Sequence, residues 1–362
     1  MMGTMEETGG NASANVVEAF RRLGRQESLD LFEGALLVAR LVDPASDLDA
    51  ARSRVGELAA RVEALRREGR TPLDALRAVL FDEEGFAGDA ESYDEPPNCS
   101  VVHALEARRG LPITLAVLAA EVGRRAGVRV EGVGLPGHFV LGGADLPEGR
   151  FLDPFDGGVL HDAEALAQRV AGIFGTEIEL SPEVFSPDPP GAILRRMLAN
   201  LRRSWERRHR YEEALVALDC AEALAPDDPS LPRERARLLL ETGEPEKASR
   251  VLETAGEGAA AARKTFTLEE ARALLPTIRE KTAEAAARFA RFGDGGEETR
   301  REREEILSAW AREMAAFGVE IKGPWLVDFD SGAGYYCWKH PEPSLEHFHG
   351  YEEGFAGRLR LQ

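Results

Sequence analysis

The stretch from Gly110 to Gly127 constrains this chain most. It reads GLPITLAVLAAEVGRRAG, with a Pro at the first helical position, then apolar and small residues on nearly every side, then a terminating Gly. A helix with so little polar face belongs inside a fold, so neighbouring segments must be built around it. It is not a membrane span, because its apolar run stops far short of the roughly 20 residues a crossing needs. Upstream, helical patterns run over about Val16–Arg22, Leu29–Leu41, Leu48–Arg67 and Thr71–Phe81, with Thr71 as N-cap before Pro72. A loop, GDAESYDEPPN, leads to the helix CSVVHALEARR, for which Asn98 is the expected N-cap. Downstream lie two β-like runs, VRVEGVGL and HFVL, a turn, GGADLPEG, the segment RFLDPF and a helix, DAEALAQRV.

At 362 residues the chain is long enough for two or three domains of about 100–200 residues. An apolar fraction of 43% with 30% charged residues excludes wholesale disorder. The net charge of −19 argues against a nucleic-acid partner, whose phosphates need cations, and against an anionic membrane surface. Residues 1–14 are acidic and small, without the basic-then-apolar order of a signal peptide, and read as a disordered tail. Cys99, Cys220 and Cys337 are odd in number and dispersed, which is no disulfide framework and suits a cytoplasmic protein.

Residues 191–255 carry a repeat. Ala214 and Ala248 lie 34 residues apart, as do Leu218 and Leu252, each on a helix that follows another, Ile193–Glu206 or Leu231–Glu241. That period is tetratricopeptide-like and suits a protein partner, although two repeats are too few to stand alone. Residues 256–264 read as a linker. From Leu268, the positions Ala271, Leu275, Ile278, Thr282, Ala285, Phe289 and Phe292 follow a 3-4 seam. GDGG at 293–296 breaks that helix. A second follows, with Ile306, Trp310, Met314 and Phe317 on one face, giving an antiparallel helical hairpin. The aromatic tail from Val319 reads as short strands with a turn at Ser331–Gly334. The fold class expected is α+β, mostly helical, with domains at 15–190, 191–255 and 265–362.

Two constellations carry possible chemistry. His138 and Asp153 are symmetric about the Asp145–Leu146 junction, so if HFVL and RFLD pair they face each other. A carboxylate there holds an imidazole in one tautomer, the orienting half of a nucleophile–His–Asp triad. The plainer reading is a structural His at a Gly-rich turn. Cys99 is the thiol available in this half, at a helix start where the dipole would lower its pKa; the plainer reading is a small buried residue. In the tail, Cys337, Glu342 and His349 offer ligands for zinc or iron, with His347 on the same face as His349. The plainer reading is an aromatic mini-core of Trp325, Phe329, Tyr335, Tyr336, Trp338, Phe348 and Phe355. The arginines between 195 and 210 read as a solvated, ion-paired surface.

The segments NCSVVHALEARRGLPITLAVLAAEVGRRAGVRVEGVGLPGHFVL, FLDPFDGGVL and ILRRMLANLRR resemble the SirB-type transglutaminase-like family with tetratricopeptide repeats, over roughly residues 29–255. The resemblance implies a papain-like transglutaminase core with a triad of Cys at a helix start, His on a strand and Asp on the next strand. His138 and Asp153 fall on the His and Asp positions. The nucleophile's location, after the Gly that opens the central helix, is about Pro112, which has no nucleophilic side chain. Ile113 and Thr114 follow and offer at most a hydroxyl at the wrong turn. The pieces TLEEARALLP, GVEIKGPWLVDF, YYCWKHPEP and FHGYEEGFAGR, over roughly 265–360, resemble an uncharacterised bacterial domain family. Cys337, Trp338, Glu342, His349 and Arg358 fall on its recurrent positions. Asn98, Trp338 and Arg358 are the binding candidates. The leading expectation is a non-catalytic interaction protein. The alternatives are a hydrolase or acyltransferase using Cys99, His138 and Asp153, and a metal-dependent role of the C-terminal domain.

Overall fold

A computed structural model of the chain describes residues 6–26, 28–174, 180, 182–226, 228, 230–254, 266–291, 297–331, 334–350 and 358–361. The chain divides into two compact units, Met1–Leu166 with Phe185–Gly258, and Ala167–Val184 with Ala259–Gln362. Among the described residues no helix is long and apolar enough to cross a membrane. The expected linker at 256–264 and the Gly turn at 293–296 lie outside the described residues, as do Phe292 and Phe355.

The first unit is mostly helical. Helix α1 (Glu6–Gly24) starts inside the stretch read as a disordered tail, and its Phe20 and Leu23 are buried in the main core. An amphipathic run that can bury Phe20 extends as helix beyond the residues that make the contact, which is why the boundary falls earlier than expected. Next come α2 (Leu31–Val42), α3 (Leu48–Arg67) and α4 (Pro72–Arg77), which continues as a π-helical turn, Ala78–Glu83. Thr71 caps α4 by accepting from the Asp74 N–H, with Pro72 behind it. Two residues, Ala87–Gly88 (β1), pair in parallel with Arg109–Gly110 (β2), flanking α5 (Val101–Ala107).

Helix α6 (Pro112–Arg125) is the all-round apolar stretch, and Pro112 through Ala119 are all buried. Its first turn has no side-chain cap. Instead the Asn98 carbonyl accepts from the Leu111 N–H (3.1 Å) and the Thr114 hydroxyl (2.9 Å). The helix packs on a four-stranded antiparallel sheet of β3 (Glu131–Leu135), β4 (His138–Gly142), β5 (Arg150–Asp153) and β6 (Val159–Asp162), in that order. Helix α7 (Ala163–Phe174) follows, with only its first turn, to Leu166, in this unit. Then α8 (Pro190–Glu206) packs on α9 (Tyr211–Leu224), and α10 (Leu231–Glu241) on α11 (Pro245–Thr254). The arginines here are engaged: Arg202 pairs with Glu206 and Glu234, Arg208 with Glu95, and Arg196 donates to the carbonyls of Leu135 and His138.

In the second unit, α12 (Leu268–Phe289) opens with a capping box, in which Thr267 and Glu270 satisfy each other's backbone N–H. It lies beside α13 (Glu297–Ala316). Trp310 Nε1 donates to the buried Thr282 hydroxyl at 3.0 Å, and Arg303 stacks over Phe289. Five strands follow: β7 (Glu320–Gly323), β8 (Leu326–Asp330), β9 (Tyr335–Lys339), β10 (His347–His349) and β11 (Leu359–Arg360). They form an antiparallel sheet ordered β11-β10-β9-β8-β7. Val327, Phe329 and Trp338 share one core with Ala271, Leu275, Ile278, Trp310 and Met314.

Candidate functional sites in the two units

The DPFDGG block builds the first site. Asp153 ends β5, and its Oδ1 accepts from the backbone N–H groups of Phe155 (2.9 Å) and Asp156 (3.3 Å). The Gly158 N–H returns to the Asp153 carbonyl at 2.9 Å. Gly158 has a φ of 78°, and a Cβ there would lie 2.3 Å from the Phe81 ring, so the turn must end in glycine. With Oδ1 held, Oδ2 meets His138 Nε2 at 2.6 Å, and both side chains are buried, at 0% and 4% exposure.

The two residues are not directly opposite, as equal spacing about Asp145–Leu146 predicts. Leu141 pairs with Leu152, which makes His138 and Asp153 diagonal neighbours. The connecting loop is two successive turns, closed by Leu146 N–H to the Gly143 carbonyl (3.2 Å) and Arg150 N–H to the Pro147 carbonyl (3.0 Å). They meet at Leu146–Pro147, so the symmetry axis sits one residue further on. The register therefore moves by two, an even number, and both side chains keep the same face.

Asp153 on Nε2 leaves Nδ1 as the nitrogen available for proton transfer, and no hydrogen bond reaches it among the described residues. The Phe155 ring stands edge-on to His138 at 6.2 Å, and Tyr93 stands edge-on to Phe155 at 5.8 Å. His161, which sequence reading passes over, pairs with Asp156 at 3.0 Å and lies 3.9 Å from Asp153 Oδ2. Ligand atoms of Asp153, Asp156 and His161 fall within 4.8 Å of one another. Both Asp153 oxygens are already engaged, so a cation there would have to displace an existing contact. The second Asp of DPFDGG and a His three residues beyond the Gly pair were the available signal.

Cys99 and Asn98 sit differently from expectation. Pro96–Cys99 form a 3-10 turn, closed by Ser100 N–H to the Pro97 carbonyl, and this uses up the residues expected to start the helix. Ser100 is the N-cap of α5, accepting from the His103 N–H at 3.2 Å. Asn98 instead donates its amide to the Ser92 carbonyl (2.6 Å) and Asp89 Oδ2 (3.2 Å), tying the preceding loop to the start of α6. Cys99 is 2% exposed, and burial, with Asp94 adding, pushes its thiol up to about 12. No hydrogen bond joins it to His138 among the described residues. Pro112 occupies the first position of α6.

The second site lies on the C-terminal sheet. Alternation sends Val327 and Phe329 toward the helices and Asp328 to the other face. Cys337 is directly opposite Asp328, and His349 is a diagonal step from Cys337, with Tyr335 as its direct partner. Asp328, Cys337 and His349 are exposed by 0%, 0% and 2%, and their ligand atoms lie within 4.8 Å of one another. Burial, then the Asp328 carboxylate, pushes the Cys337 thiol well up. Glu342, expected beside Cys337 and His349, is held elsewhere. It accepts from Arg358 Nη2 (2.7 Å to each oxygen) and the Lys339 N–H (2.8 Å), because its loop turns it back along β9. Of the other expected binding residues, Arg358 also meets His347 Nδ1 at 2.7 Å, and Trp338 is a core residue that donates to the Glu342 carbonyl. Asp328 was discoverable: it and Cys337 are symmetric about the short turn at Ser331–Gly334.

Comparison with known proteins finds a transglutaminase-like match in the first half and an uncharacterised family in the second. Residues 49–199 match the Transglutaminase-like superfamily, and residues 294–361 match an uncharacterized conserved protein family, DUF2203. A UPF0162 protein of Xylella fastidiosa (strain 9a5c) is 34% identical over 229 residues, spanning 60% of this chain and 79% of that protein. The chain belongs to the UPF0162 family. Within that family, a Vibrio cholerae member is 28% identical over 215 residues, spanning 58% of this chain and 78% of that protein. Outside it, F-box only protein 21 of Mus musculus is 38% identical over 84 residues, 23% of this chain and 13% of that protein. No solved structure matches the chain.

Proposed function

We propose that the first unit is a non-catalytic protein-interaction module, a transglutaminase-like scaffold of the SirB type that keeps a His–Asp pair and lacks a working nucleophile. The observation that carries this reading is Pro112 at the first position of buried helix α6, the location where the resemblance would put the catalytic thiol. A Cys-dependent acyl transfer needs a thiolate beside an imidazole. Cys99, the alternative the sequence offers, has a thiol pushed up to about 12, so thiolate is scarce at neutral pH. The His138–Asp153 pair then serves the fold, clamping β4 to the turn after β5. The paired helices α8–α11, read as tetratricopeptide-like, are the surface through which a protein partner would be met.

Treatment of the full chain at neutral pH with a substrate-like acyl electrophile tests this. The expected outcome is no stoichiometric labelling of Cys99 and the same slow rate in His138→Ala. Stoichiometric labelling of Cys99 that His138→Ala abolishes would restore the hydrolase or acyltransferase reading, since the reactivity of an inert buried thiol does not depend on an imidazole.

A further inference from the structure

We propose that Asp328, Cys337 and His349 form a binding site for a zinc-class divalent cation. This stands independently of the reading given to the first unit. His349 Nδ1 lies 2.9 Å from the Gly350 carbonyl, an atom that only accepts, so Nδ1 carries the hydrogen. Nε2 then presents its lone pair to Asp328 Oδ2 at 3.0 Å. Two lone pairs do not face each other in a dry interior unless a cation lies between them. A single proton could fill that gap, with the Cys337 thiol donating to the same carboxylate, but the carboxylate would still be short of a partner. Asp328 Oδ1 is buried with no hydrogen-bond partner among the described residues, and the Cys337 sulfur lies within 4.8 Å of a ligand atom of each of the other two residues.

A metal ion accounts for all of this. Thiolate, imidazole and carboxylate together form the donor set of a borderline cation, whereas magnesium or calcium would call for oxygen throughout. The 3.0 Å spacing of nitrogen and oxygen is near the roughly 3.3 Å between tetrahedral ligands that each lie about 2.0 Å from zinc. The Nδ1–H to carbonyl bond is the outer-shell contact that orients a ligating His. Three strands, β8, β9 and β10, each supply one donor, so the register of the sheet presets the geometry. Binding replaces the Cys337 thiol proton, which passes to solvent. Three protein donors leave one coordination position for water or a substrate atom.

The experiment uses the full chain purified without an affinity tag, stripped with a chelator and titrated separately with Co²⁺ and Zn²⁺. About one equivalent of each should bind, and the Co²⁺ form should show thiolate-to-metal charge-transfer absorption that Zn²⁺ displaces. Asp328→Asn and His349→Gln should each weaken Co²⁺ binding at least about tenfold, and Cys337→Ser should remove the band. A Cys99→Ala, Cys220→Ala variant and His161→Gln should bind as the parent does. Binding below about a tenth of an equivalent in a chain with native circular dichroism would overturn the proposal. So would a band that persists in Cys337→Ser or binding lost in His161→Gln. Should Cys337→Ser fail to fold, X-ray absorption of the zinc-loaded parent decides: a shell with one sulfur supports the site, and a shell of nitrogen and oxygen alone overturns it.

Discussion

Each unit of this protein buries a His–Asp pair, and the two pairs differ in what surrounds the carboxylate. In the first unit, Asp153 uses Oδ1 on two backbone N–H groups and Oδ2 on His138. In the second, Asp328 uses Oδ2 on His349 and leaves Oδ1 without a partner among the described residues, beside a thiol. The first carboxylate has both oxygens engaged and reads as structure. The second leaves one carboxylate oxygen unmatched among the described residues, which is where the proposed cation would bind. The residue types are the same, so the separation comes from counting hydrogen-bond capacity against supply.

The largest effect should come from removing the carboxylate that has both oxygens engaged. Asp153→Ala leaves a buried imidazole and two N–H groups unmatched, and should lower stability by about 3–5 kcal/mol in denaturant unfolding. Asp328→Ala in the metal-stripped chain should cost less than half as much. Equal costs would erase the distinction between the sites.

Metal loading should sharpen it from the other side. At Zn²⁺ a hundredfold above Kd, the second unit should gain about 2.7 kcal/mol, read as slowed amide exchange in β8–β10, with exchange in β4 and β5 unchanged.

The turn that supplies the Asp153 N–H groups can be probed next. Gly158→Ala forces a side chain onto a φ of 78° and into Phe81, and should cost about 2–3 kcal/mol. Gly157→Ala, at a φ of 65° with open space, should cost about 1 kcal/mol.

The smallest effect concerns a carboxylate compensated by arginines rather than by a His. Burial raises the Glu84 carboxyl, but contacts from Arg61, Arg54 and Arg108 override it and leave it below its ordinary value. A depressed folded-state value means stability that is present above the unfolded value and lost as pH falls through the folded one. Glu84→Gln should therefore cost about 1 kcal/mol near pH 7, shrinking toward nothing in the acid range, as measured by unfolding at several pH values.

Legibility in the sequence followed the range of the physics. The Thr71 cap, the buried helix from Pro112 and the seam residues Ala271, Leu275, Ile278 and Thr282 depend on local periodicity and capping, and they could be read directly. Recurrent residue types alone place Glu342 at the site and pass over Asp328, because they carry no information on strand pairing. The symmetry of a short turn pairs Asp328 with Cys337, whereas the same reasoning across the longer loop before β5 missed by two residues.

By itself, then, the sequence determined which residues share a face. His138 and Asp153 fall on one side of their strands under either register, because a strand's side chains alternate with a period of two. Tertiary structure decided which donors touch and what they lack. Register depends on how a loop divides into turns, and the neutrality of the Cys99 thiol on its burial and Asp94. The unmatched oxygen of Asp328 among the described residues depends on backbone groups brought near it, or kept away, by residues distant in the chain.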